Sequence, residues 1–129
     1  MLTKEDILKA NDLKTETVKV PEWGGSVVIK EMTGSERDTF EQATYHKNGS
    51  DYEVNMKDMR ARLCAICMVD DKGERLFTDA DVSALSGKSA KALDRVFSRS
   101  QKLNAISSKD VEELAKNSEA TQIGSFTSS

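Results

Sequence analysis

The residues best suited by type to chemistry are the two cysteines, Cys64 and Cys67, which form a C-x-x-C with Ala65 and Ile66 between them. On a helix this spacing puts both sulfurs on one side, as a zinc site or a dithiol redox pair requires. The rest of either site is missing. Structural zinc takes four ligands, and beyond the cysteines the chain offers a single histidine, His46, far upstream. A redox pair needs an exposed, low-pKa thiol, usually at a helix N-terminus, whereas these two lie inside the apolar run Leu63–Val69. Reduced cysteine in such a run packs as a small hydrophobe, so the sequence predicts core cysteines, no metal and no cofactor.

Other motifs fail for similar physical reasons. Gly87-Lys88-Ser89 resembles the end of a phosphate-binding loop, but Val82 stands where the first glycine is required and a helical pattern precedes it. Asn48-Gly49-Ser50 has the spacing of a glycosylation acceptor and reads as a turn. His46 has no nucleophile beside it, and the acids Glu5, Asp6, Asp79 and Asp81 fall in first turns of helices, where capping accounts for them. No catalytic residue is predicted, and the chain is not expected to be an enzyme. What stands out is a basic stripe, Lys88, Lys91, Arg95, Arg99 and Lys102, offset in sequence only by Asp94. These five residues, with Trp23, are the predicted partner-binding positions.

The elements that must carry these residues follow from caps and periodicity. Thr3 and Asp6 open a short helix from Lys4 to about Ala10, with Ile7 and Leu8 as its buried contacts. Thr15–Val20 alternates with period two, and Ser26–Lys30 follows after Pro21 and two glycines, which predicts a β-hairpin with a loop of about five residues and Trp23 near its tip. Thr33 and Glu36 form a capping box for a helix ending near His46, and residues 47–51 read as a turn. Met56, Met59, Leu63, Ile66 and Cys67 share one helical face, so residues 54–69 are read as the central helical core; a strand over Leu63–Val69 is the rival reading. Asp70–Gly73 is a turn, Arg75–Phe77 an extended link, and Thr78 with Asp81 caps a short helix through Leu85. From Lys88 to Leu103, Leu93, Val96, Phe97 and Leu103 lie on the arc opposite the basic stripe. Ser107 and Asp110 cap a last helix, and Ser118–Ser129 reads as a flexible polar tail.

The fold class predicted is therefore α+β and mostly helical, an N-terminal β-hairpin packed on a small helical core. Residues 1–117 would form one domain and 118–129 a tail. The 129 residues carry 22 acids against 19 Lys and Arg, a net charge of −3, and Leu, Ile, Val and Phe make up about 21% of the chain, just above the level at which charged chains fail to fold. The longest apolar run, seven residues, is far too short to span a bilayer, and no signal peptide is apparent. The acidic balance and the absence of aromatics on the basic stripe disfavour nucleic acid.

The order of motifs resembles a family. Leu13-Lys14-Thr15-Glu16 leads into Val18–Gly25; Met32-Thr33-Gly34-Ser35-Glu36-Arg37 follows; then come Val69–Thr78, Asp81-Val82 and Leu85. Together these are similar to the tail assembly chaperones of long-tailed bacteriophages with non-contractile tails, over nearly the whole chain up to about Leu114. The resemblance implies a protein of the infected host's cytoplasm that binds the tape measure protein, keeps it soluble until the tail tube polymerises around it, and is absent from the mature virion. It also implies self-association. In such phages a programmed ribosomal frameshift often yields a longer product that recruits the tail tube protein. Two rival functions remain at this point: a small nucleic-acid-binding regulator acting through residues 88–102, and a minor structural protein of the virion.

Overall fold

The structure, a computed structural model, describes residues 1–48 and 51–106. Its first element, α1 (Lys4–Lys9), is set by the capping box read from sequence: the Asp6 amide donates to Thr3 Oγ1 at 3.2 Å and the Thr3 amide to Asp6 Oδ2 at 3.0 Å. The helix buries none of its residues, however. Ile7 and Leu8, expected to be core contacts, are instead 57% and 74% exposed, and the chain leaves the helix with Ala10 in an extended conformation.

The hairpin forms as expected. β1 (Thr15–Val20) and β2 (Gly25–Lys30) pair antiparallel, with Val18 opposite Val27 and Val20 opposite Gly25. The loop is four residues rather than five, since Gly25 already belongs to the ladder. Pro21–Trp23 makes a single 3₁₀ turn that Gly24 closes at φ 75°, a left-handed conformation that favours glycine. Val18, Val20 and Ile29 turn inward toward the helices.

Two elements differ from the sequence reading. The central helix α3 spans only Met59–Cys67; Asp58 stands before it in the left-handed region at φ 59°, so Met56 lies outside the helix and is 47% exposed. At its other end, Met68 and Val69 leave the helix as a short strand, β5, pairing antiparallel with Ile29 and Val28. Periodicity cannot show this, because both residues are buried and a seven-residue apolar run suits either state. The free edge of β2 decides it by offering backbone partners. The three-stranded order is β1-β2-β5.

The second difference follows α2 (Gly34–Thr44), which opens on the predicted capping box between Thr33 and Glu36 and buries Phe40. It stops at Thr44, short of His46, and Tyr45–Asn48 (β3) pairs with Asp51–Val54 (β4) as a second hairpin where only a turn was read.

The remaining chain follows the expected order. Asp70 Oδ1 accepts from the Lys72 and Glu74 amides in the turn after β5, and Thr78 and Asp81 cap a 3₁₀ turn that runs into α4 (Val82–Ser86). Ser89 Oγ then caps α5 (Ala90–Leu103), whose Ala92, Leu93, Val96 and Ser100 are buried. α5 packs against both α3 and the hairpin, so Val96, Leu63, Cys64, Cys67, Val20 and Ile29 share one core. Asn104 locks its end: its Oδ1 accepts from the Met32 amide at 2.7 Å and its Nδ2 donates to the Ser100 carbonyl at 2.8 Å. The predicted helix at Ser107 and the tail 118–129 lie outside the described residues.

Candidate partner-binding site

Lys91, Arg95 and Arg99 of the basic stripe stand on the side of α5 turned toward β1, and the hairpin supplies carboxylates that the sequence reading does not pair with them. Arg95 makes a two-pronged contact with Glu22, Nε to Oε1 at 2.8 Å and Nη2 to Oε2 at 3.0 Å. One turn on, Arg99 donates to Glu16. The Arg95 hydrogen bonds, a backbone amide and the nearby Lys91 charge hold the Glu22 carboxyl below its ordinary range. The expectation that only Asp94 offsets the stripe is thus corrected: Asp94 is turned toward Arg60, at 2.6 Å, and Glu16 and Glu22 do the neutralising. No local signal could have shown this, because the partners lie more than seventy residues apart.

Two concave surfaces border these residues. Between β1 and α5 runs an open trough of about 570 Å³, bordered by Glu16, Lys19, Lys91, Asp94, Arg95 and Arg99. Its mixed charges suit a polar surface contact. A second groove, about 430 Å³, is mainly apolar: Trp23, Leu76, Phe77 and Leu85 line it, with Asp81 and Lys88 at its rim. The six predicted positions therefore divide. Lys91, Arg95 and Arg99 border the trough, Trp23 and Lys88 meet in the apolar groove, and Lys102 is exposed in the last turn of α5.

What the sequence reading missed is Leu76, 49% exposed at the groove's mouth, in a stretch read only as a link. Its amide bonds the Met68 carbonyl and its neighbour Arg75 bridges to Val69, so β5 fixes the residue in place.

The cysteines sit in the core as packing groups. Burial pushes the Cys64 thiol up to about 12 and that of Cys67 up to about 11. Cys64 Sγ donates to the Leu93 carbonyl at 3.6 Å, and Cys67 Sγ accepts from Asn104 Nδ2 at 3.5 Å. Among the described residues no group of three or more His, Cys, Asp or Glu side chains is placed to hold a metal ion, and no helix is long and apolar enough to cross a membrane. Gly87 and Ser89 serve as the end of α4 and the cap of α5, with no strand before them to build a phosphate loop.

Residues 4–117 match the family model described as phage tail assembly chaperone. No curated protein and no solved structure matches the chain.

Proposed function

The chain belongs to the phage tail assembly chaperone family, and from that premise we propose that it binds the tape measure protein and keeps it soluble until the tail tube polymerises around it. The observation that carries this reading is the extent of the family match, which takes in every described element from α1 to α5. The surfaces suit a holding role. A chaperone that must later let go needs several weak contacts rather than one deep pocket, and the charged trough offers exchangeable ion pairs along an open channel. Lys91, Arg95, Arg99 and Lys102 are the proposed contacts for the tape measure protein, and Lys88 and Trp23, which meet in the apolar groove, are proposed to serve contacts between copies of this chain.

The protein would act in the cytoplasm of the infected bacterium and be absent from the mature virion. Several copies would cover one long tape measure chain, since a domain of this size spans only a short part of it and linked copies add avidity. A frameshifted longer form would bring in the tail tube protein. A nucleic-acid role is less well supported, because Arg95 and Arg99 already engage carboxylates and would have to exchange them for phosphates.

Co-expression tests the proposal. The tape measure protein of the same phage should be recovered soluble with this chain and insoluble without it; equal solubility in both cases overturns the reading. Reversing Arg95 and Arg99 would set glutamates against Glu22 and Glu16 and disturb the fold, so surface contact is better tested with Lys19→Ser and Lys91→Ser, which border the trough outside its ion pairs.

A further inference from the structure

The structure leaves a donor and an acceptor unjoined on one chain. The donor is α1. Six-residue helices are unstable alone and rely on packing of an apolar face. Yet this one opens on a complete capping box with none of its residues buried: Ile7 and Leu8 stand 57% and 74% exposed, and Leu2, just before the helix, 77%. Apolar side chains on a short helix call for a cover, and no described element buries these. The acceptor is the apolar groove formed by Trp23, Leu76, Phe77 and Leu85, whose mouth residue Leu76 is itself half exposed.

We propose that α1 of one copy docks in the Trp23–Leu76–Phe77–Leu85 groove of a second copy. The charges match the fit. Asp6 is engaged in the capping box, but Glu5, one turn before Leu8, makes no ion pair with a described residue, and neither does Lys88 on the groove rim. Seating Leu8 beside Leu76 brings these opposite charges to the same edge. Donor and acceptor are different surfaces, so the contact is head-to-tail: each copy gives an arm and receives one, and the association propagates instead of stopping at a symmetric dimer. This inference gives a contact to the self-association proposed above and rests on it.

The chain's single tryptophan lies in the groove and reports occupancy directly. Sedimentation velocity and Trp23 emission should be followed together across a concentration series. The wild-type chain should grow into multimers with a blue shift of the emission. The arm variant Ile7→Glu with Leu8→Glu, and the groove variant Leu76→Glu, should each weaken association at least about tenfold. Mixing the two variants should restore dimers and nothing larger, because one good arm then meets one good groove. Three results would overturn the inference, and they are distinguishable. A wild-type chain that stays monomeric at every concentration removes self-association itself. Variants that associate like wild type keep self-association and remove the arm. A monomer whose blue-shifted emission is lost in the arm variant shows the arm closing on its own groove.

Discussion

α1 and α5 are both helices with a good cap and a two-faced pattern, and the domain treats them in opposite ways. α5 buries Ala92, Leu93, Val96 and Ser100 between α3 and the hairpin, and its outward arginines are tied back to Glu22 and Glu16. α1 has its capping box and nothing else: every apolar side chain it carries faces outward. Caps specify where a helix starts: the α1 cap is legible as Thr3 followed by Asp6 three positions on, whereas Ser89, which caps α5 through the Ala92 amide, has no such side-chain partner to announce it. What covers the apolar face is a tertiary matter. Burial makes α5 part of the fold, whereas exposure makes α1 available to another molecule.

Substitutions that attack this contrast should give a graded series. The largest effect belongs to Val96→Asp, which would bury an uncompensated charge at a position with no solvent exposure; a loss above about 4 kcal/mol is expected, seen as an unfolded or molten chain by near-UV circular dichroism. Replacing both Cys64 and Cys67 with Ala should cost about 1–3 kcal/mol in urea denaturation, through lost packing beneath α5. With their thiols held at about 12 and about 11, native Cys64 and Cys67 should also resist thiol reagents near neutral pH and react once the chain is unfolded.

A smaller effect is expected for Glu22→Gln, since Glu22 and Arg95 sit at the surface and salt screens their attraction. Because Arg95 lowers the Glu22 pKa in the folded chain, the pair stabilises fully above the carboxyl's ordinary value of 4.5 and is lost as pH falls through the depressed one. The wild-type advantage over Glu22→Gln should therefore be present at neutral pH, shrink in acid, and shrink with added salt. An advantage that grew in acid would contradict the pairing.

At the end of the series, Ile7→Glu with Leu8→Glu should leave the thermal midpoint of the dilute monomer unchanged. A drop of several degrees would show that α1 packs on its own domain and would erase the contrast with α5.

How much of this was legible depended on the range of the interactions. The hairpin, the Thr33–Glu36 and Thr78–Asp81 boxes and the buried arc of α5 rest on neighbours a few residues apart, and the sequence specifies them. The helical reading of residues 54–69 overran at both ends because two non-local or conformational facts intervene: Asp58 adopts positive φ, and the open edge of β2 takes Met68 and Val69 into the sheet. Of the basic stripe, Lys91, Arg95 and Arg99 share the trough side of α5 while Lys88 precedes the helix, and the carboxylates that pair with Arg95 and Arg99 come from the hairpin, so only folding brings them together. Trp23 and Lys88 lie far apart in the chain, and their meeting in one groove with Leu76 is a property of the tertiary structure.

The central claim is that many copies of this small domain hold one long tape measure chain. The most direct measurement is the mass of the complex, by light scattering on a size-exclusion column after co-expression with the tape measure protein. The account predicts a soluble complex holding several copies of this chain per tape measure molecule, falling to fewer copies when Ile7 and Leu8 are both replaced by Glu. A tape measure protein that stays soluble with no copy of this chain bound would contradict it.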